Sequence, residues 1–273
     1  MSIHLQRGGA KLQLLLLVLA IVCRIANADE RPALAIIIDD MGNHQAQGTA
    51  ALMLPGAVTY AFLPHTPYAV QLAERAHALG KEVMLHLPMD AAEGNTLGPG
   101  ALRLYMSEAE FKQTLIDNLA AVPHVVGLNN HMGSLLTQHP GAMAWMMETL
   151  LERPRYYFVD SRTTRDTVAQ LVAAEYGIRN TRRDVFLDNE IETEAIEQQL
   201  MLLLQRAQER GSAVGIGHPY PQTVLVLQRF LDNLNSSGVQ LITTSALIDL
   251  QQRRRRWPEP SSPLLKVAKS SKR

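Results

Sequence analysis

Two adjacent carboxylates, Asp39 and Asp40, close the apolar run Ala33–Ile38. Side by side at the end of a buried strand they repel, and each costs desolvation energy unless a cation or hydrogen-bond donors compensate. A divalent cation resolves that conflict by binding one carboxylate and leaving the other as a base. The alternative is that one Asp caps the turn favoured by Gly42 and Asn43. Three imidazoles sit in comparably unusual settings. His86 interrupts the apolar stretch Val83–Leu87, where an imidazole is ordinarily a satisfied core residue. His131 lies in Gly127-Leu128-Asn129-Asn130-His131-Met132-Gly133-Ser134, whose amides can orient an imidazole through hydrogen bonds. His218 follows Gly215-Ile216-Gly217 and precedes Pro219, a run that allows close backbone approach and a rigid exit, and that also reads as a structural turn. Carboxylates and imidazoles in this number point to a metal or catalytic site.

Other groups carry less. His44 and His65 border the same region, whereas His77, His124 and His139 fall on helix faces or loops and read as solvated. The chain has no G-x-S-x-G elbow, no P-loop and no H-E-x-x-H, which argues against serine hydrolase, nucleotide and zincin chemistry. Tyr220 stands where a dinucleotide fingerprint would need its third glycine.

What must position these residues is a succession of short strands and longer helices. Uninterrupted apolar runs suit parallel strands buried on both faces, and they recur at Ala33–Ile38, Ala57–Leu63, Glu82–Leu87, Val125–Leu128, Tyr156–Val159, Asp184–Leu187, Ala213–Ile216 and Val239–Thr243. Helices are expected over Tyr68–Leu79, from the capping box Ser107–Glu110 to Val122, from Pro140, and over Thr164–Tyr176, Glu190–Arg210 and Pro221–Leu234. Strand and helix alternating this often imply a parallel sheet with right-handed crossovers. The expected fold is α/β, a distorted or incomplete (β/α) barrel of seven to eight parallel strands; an open doubly wound sheet is the alternative. No internal repeat is visible.

The polar residues gain meaning from that frame, because nearly all follow a strand. Asp39 and Asp40 follow the first, His65 the second, His86 and Asp90 the third, and Asn129, Asn130, His131 and Ser134 the fourth. Asp160, Ser161 and Arg162 follow the fifth, Asp188 the sixth and His218 the seventh. The carboxyl ends of parallel barrel strands open on one face, so residues distant in sequence converge there.

The ends of the chain are of different character. Arg7 and Lys11 precede the apolar run Leu12–Val22, and Ala26-Asn27-Ala28 supplies small residues, together the pattern of a secretory signal peptide cleaved after Ala28. The run is too short for a spanning helix, so no stable membrane span is expected after cleavage, and the localisation expected is periplasmic or secreted. Removal takes away Cys23, the single cysteine, so the domain must fold on its hydrophobic core without disulfides. With 26 basic and 26 acidic residues the charge is balanced, which gives no argument for nucleic acid as a partner. Domain boundaries are read as 29–250, followed by a basic tail over 251–273, disordered and either partnerless or in contact with anionic envelope polymers or lipid head groups.

The motifs Ile36-Ile37-Ile38-Asp39-Asp40-Met41-Gly42, Ala61-Phe62-Leu63-Pro64, His86-Leu87-Pro88-Met89, Asn130-His131-Met132-Gly133-Ser134, Phe158-Val159-Asp160-Ser161-Arg162-Thr163 and Gly217-His218-Pro219 together resemble the divergent polysaccharide deacetylase family, from Ala33 to about Leu250. The resemblance implies a metal-dependent hydrolase that removes acetyl groups from an N-acetylated polysaccharide of the cell envelope. It implies Asp39 as catalytic base, Asp40 as a ligand to Zn²⁺ or a similar cation, and His218 as catalytic acid. The better-known deacetylases take two imidazole ligands from one H-x-x-x-H-type motif after the third strand. This chain has His86 there and Asp90 four residues on, so the second imidazole is expected from His131. An arginine-proline motif of those enzymes is missing. Asn130, Asp160, Arg162 and Asp188 are expected either to contact sugar hydroxyls or to hold the ligands in place. Two further classes stay open: a non-catalytic envelope protein that binds glycan or a partner on the same fold, and a metal hydrolase acting on another ester or amide.

Overall fold

A computed structural model of the chain describes residues 31–94 and 96–256, so the expected signal peptide and all but the first residues of the expected basic tail lie outside the described residues. Nine strands form one sheet: β1 (Ala33–Met41), β2 (Thr59–Phe62), β3 (Glu82–Met89), β4 (Val125–Met132), β5 (Tyr157–Asp160), β6 (Asn180–Arg182), β7 (Val185–Phe186), β8 (Ser212–Gly217) and β9 (Gln240–Leu241). Eight of them follow the path β6-β5-β4-β3-β2-β1-β8-β7, with β9 added to β1. Every pairing is parallel. The sheet curls into a (β/α) barrel that is incomplete, since β6 and β7 are linked by Arg183 and Asp184 and not by a hydrogen-bonded ladder.

Helices α1 (Gln45–Leu52), α2 (Ala69–Ala78), α3 (Glu108–Ala121), α4 (Pro140–Leu151), α5 (Ala169–Glu175), α6 (Thr193–Arg210) and α7 (Pro221–Asn233) supply side chains to an outer core against the sheet. Alternation along β1 explains the division: Leu34, Ile36 and Ile38 face this outer core, while Ala35 and Ile37 face inward. The capping box at Ser107 forms as expected, with its hydroxyl and the Glu110 carboxylate each serving the other's backbone N–H. The glycines before His218 permit close packing. A Cβ on Gly215 would lie 2.7 Å from Leu203 of α6, and one on Gly217 would lie 3.2 Å from Asp188 Oδ2.

The barrel interior is sealed by a helix that the sequence reading left out. Helix α8 (Thr244–Arg256) places Leu247 and Ile248 among Ala35, Ile37, Ala61, Met84, Tyr157 and Ile216. Its first turn is fastened to the floor of the barrel by Glu82, which accepts from Ser245 N at 3.1 Å and Tyr157 Oη at 2.8 Å, and from the Ser245 hydroxyl. A carboxylate at a helix N-terminus satisfies free N–H groups and matches the helix dipole. The expected boundary at residue 250 is therefore corrected. Gln251 donates to Ser212 Oγ at 3.1 Å and Arg254 to Gly211 O at 2.7 Å, so the first basic residues of the presumed tail belong to the domain. Among the described residues no helix is long and apolar enough to cross a membrane.

Candidate metal centre

The carboxyl ends of the strands carry an unusual density of constrained backbone. Four of the five non-glycine residues at positive φ among those described, Asp40, His65, Met132 and Arg162, lie at the ends of β1 and β4 or just after β2 and β5. Such conformations cost roughly 1–3 kcal/mol each and persist where the surrounding structure imposes them. Asp39 and Asp40 also sit in a register irregularity: Ile38 pairs with Tyr60 and Met41 with Phe62, so one extra residue is accommodated in β1. In a regular strand neighbouring side chains point to opposite faces. The bulge re-aims them. Asp39 Oδ2 lies 3.6 Å from His86 Nδ1, and Asp40 Oδ1 lies 3.2 Å from His86 Nε2, so both carboxylates address one imidazole.

Three atoms then converge. Asp40 Oδ1 is 3.2 Å from His86 Nε2 and 3.1 Å from His131 Nδ1, and the two nitrogens are 3.1 Å apart. Ligands of a tetrahedral site with bonds of ~2.0 Å stand ~3.3 Å from one another, which this triangle approaches. The donor chemistry agrees. Asn129 Nδ2 donates to both oxygens of Asp39, at 2.8 and 3.1 Å, which turns its amide oxygen toward His86 Nδ1 at 2.8 Å. That contact places hydrogen on Nδ1 and leaves the Nε2 lone pair of neutral His86 facing Asp40 and His131. Asp40 Oδ1 is shielded from solvent and has no hydrogen-bond donor. A carboxylate oxygen and an imidazole lone pair that face one another across 3.2 Å are matched by a cation, and two imidazoles with a carboxylate suit Zn²⁺ or a similar ion. The side chain of His86 is only 3% exposed, but Asp40 is 31% and His131 17% exposed, so the cluster is open on one side.

The charges pull in consistent directions. Burial drives the Asp39 carboxyl above its ordinary range, with His86, His218 and Asn129 opposing. Burial alone would also raise Asp40, but His131 and His86 outweigh it and hold that carboxyl well below the usual carboxylate range. Burial would lower His86, yet Asp39 and Asp40 together raise it, so a proton competes with a metal for Nε2. His218 stands on the far side of Asp40, its Nε2 3.8 Å from Oδ2. Its Nδ1 meets Asp188 Oδ1 at 2.9 Å. Burial would lower the His218 imidazole, but Asp188 first, then Asp40 and Asp39, push it up to about 9.

Of the four residues expected either to contact sugar or to brace the site, three are braces. The Asp188 side chain has no exposed surface and accepts from His218 N at 2.6 Å, His218 Nδ1 and Thr223 Oγ1 at 2.8 Å. Asp160 continues the outward face of β5 and accepts from Arg162 N, Thr167 Oγ1 and Gln170 N, which sets the turn into α5. Asn130 donates to Met132 O at 2.7 Å and accepts from Ser161 N at 2.8 Å, so it stitches the ends of β4 and β5 together. Buried and committed to protein partners, these three are bonded as positioning residues, the second of the two roles expected for them. Arg162 alone keeps a half-exposed side chain at the rim. Asp90 likewise serves structure, binding Arg103 at 3.1 Å and Leu104 N at 2.8 Å. His77 and His124 stack on each other, with His124 bonded to Glu74 at 2.8 Å, at the opposite end of the strands.

Two contributors were given no role of their own in the sequence. Asn129 is one: it stood only among the amides able to orient His131, yet it meets His86 Nδ1 and Asp39, and its i, i+2 relation to His131 on a strand puts both on one face. Arg183 is the other: it donates to Ser161 O at 2.5 Å and Arg162 O at 2.8 Å and lies 4.9 Å over the Phe186 ring, which in turn contacts His218. No pattern in the polar stretch Arg179–Asp184 would have marked it.

A curled parallel barrel whose carboxylates and imidazoles gather at the strand ends defines a deacetylase-like (β/α) barrel. The sequence matches the model of the divergent polysaccharide deacetylase family over residues 36–248, and the chain belongs to that family. It is 37% identical over 219 residues to the uncharacterized protein YibQ of Escherichia coli, covering 80% of this chain and 68% of that one. Among solved structures it resembles the uncharacterized protein ATU2773 from Agrobacterium tumefaciens, with a TM-score of 0.77 at 21% identity, covering 80% and 89% of the two chains. It also resembles a mutant of the peptidoglycan deacetylase PdaC from Bacillus subtilis, with a TM-score of 0.53 at 13% identity, covering 84% and 98%. At these identities the structural likenesses establish the fold.

Proposed function

We propose that this protein is a metal-dependent hydrolase that removes acetyl groups from an N-acetylated polysaccharide of the cell envelope. The observation that carries the reading is the triangle of Asp40 Oδ1, His86 Nε2 and His131 Nδ1, set beside a buried carboxylate and a charged imidazole. A divalent cation would be held by Asp40, His86 and His131, and when bound it would supply Lewis acidity toward an amide carbonyl and a water molecule. Asp39, its basicity raised by burial, takes the proton of the attacking water. His218, held by Asp188 and charged at neutral pH, gives its proton to the departing nitrogen as the C–N bond breaks, so that acetate and a free amine result. Asn129 keeps Asp39 and His86 in register, and Arg162 faces the substrate side.

Membership of the deacetylase family supports an acetylated glycan as substrate. The basic and apolar start ending in Ala26-Asn27-Ala28 supports export, and a balanced charge supports a glycan over nucleic acid as partner. Elemental analysis of the purified protein, alongside Asp40→Ala and His131→Ala variants, tests the centre. Near-stoichiometric zinc, lost in both folded variants, with acetate released from N-acetylated glycan only by the wild type, is expected. A protein that takes up no metal from excess Zn²⁺ removes the mechanism.

A further inference from the structure

His65 lies three residues after the end of β2, and β2 lies between β1, which carries Asp40, and β3, which carries His86. Its loop is tied to the Asp40 turn, with Leu63 N donating to Met41 O and Tyr68 N to Gly42 O, each at 2.9 Å. The residue is solvent-exposed at φ +57°, yet its ring is not free to rotate. Nε2 meets Asn118 Oδ1 at 3.0 Å. Asn118 is wholly buried on the face of α3 that also buries Phe111, Leu115 and Leu119, a position where leucine would pack without desolvating an amide. Its nitrogen donates to Gly100 O at 2.7 Å. The amide oxygen must therefore face His65, and it can only accept, so Nε2 carries the hydrogen. With that hydrogen on Nε2, the other ring nitrogen, Nδ1, is the acceptor of this tautomer and has no partner among the described residues. A buried amide thus orients an exposed imidazole on the rim of the candidate centre, the kind of preorganisation that benefits binding.

We infer that His65 is a substrate-recognition residue whose Nδ1 accepts a hydrogen bond from a hydroxyl or amide N–H of the glycan. The inference rests on the deacetylase reading above. It is tested by calorimetric titration of N-acetylchitotetraose into the zinc-reconstituted protein and its His65→Ala and His65→Gln variants. Loss of one such bond weakens binding about three- to tenfold. His65→Ala is expected to show that loss together with a lower melting temperature, because the buried Asn118 oxygen is left without its donor, and His65→Gln, whose amide can serve Asn118, to recover part of the binding through its side-chain carbonyl. Equal binding by wild type and His65→Ala overturns the role of His65 and leaves the deacetylase reading standing. Failure of the wild type itself to bind the tetrasaccharide overturns the glycan reading and this inference with it.

Discussion

Asn129 grips both oxygens of Asp39 through one amide nitrogen, at 2.8 and 3.1 Å, and the pair is buried. The other end of the same amide receives His86 Nδ1. The proposed base and a proposed ligand are thereby held by a single side chain, so displacing one disturbs the other.

Replacing Asn129 with Leu keeps the volume and removes both contacts. Partners that orient ligating histidines are worth about 10–100-fold in metal affinity, and an unsatisfied buried polar group costs about 1–3 kcal/mol. Asn129→Leu is expected to lose both amounts. A competitive zinc titration and urea denaturation read them separately, and unchanged zinc affinity would show that His86 needs no such partner.

The raised His218 imidazole makes metal-free stability depend on pH. Its folded value of about 9 lies above the ordinary 6.5, so its contribution is complete below about pH 6.5 and is lost as pH rises through about 9. Melting temperature of the metal-free protein is expected to fall across that window. In Asp188→Asn, which removes the first charge that holds the proton, the fall should shift to lower pH and shrink. An identical profile in the variant would remove Asp188 as the cause.

Metal uptake has the opposite sign. Protons on His86 compete with a cation for Nε2, because Asp39 and Asp40 raise that imidazole. Binding must then release protons, and affinity must rise with pH. Zinc titrations at pH 6 and pH 8 in buffers of different ionisation enthalpy are expected to show both; proton-neutral uptake at pH 6 would contradict the assigned ligand.

Leu247 tests the seal of the barrel. It is fully buried in the inner cluster, and Leu→Ala at such sites costs about 2–5 kcal/mol. Leu247→Ala should lower the denaturation midpoint accordingly, and a chain ending at Thr243 should not fold cooperatively. Native-like circular dichroism and melting of that truncation would demote α8 to an appendage.

Much of this architecture was legible in the sequence because buried parallel strands announce themselves as apolar runs, and all eight expected strands exist. The short strand β6 escaped because Asn180-Thr181-Arg182 is polar and lies at an end of the sheet path. Helix α8 escaped because its few apolar residues precede a run of arginines, which dominates the composition. At the site, strand parity separates the residues that converge from those that brace the strand ends. His86, Asn129 and His131 fall on the inward face, whereas Asn130 and Asp160 fall on the outward one, and proximity to a strand end says nothing of parity. Asp39 and Asp40 defeat parity altogether. Their shared orientation needs a bulge, and a bulge is defined by the residues on the neighbouring strand.

The seal formed by α8 also orders events in time. Strand β1 is the first described element of the chain and lies inside the sheet, yet Ala35 and Ile37 find part of their packing only in Leu247 and Ile248 of the last. At ~5–20 residues per second, ribosomes need on the order of tens of seconds to travel between those positions. Throughout that interval the nascent polypeptide holds an interior with no lid, and cannot reach its final state. A molecule completed only by its last described helix remains, until that helix emerges, a loose chain that chaperones can still handle.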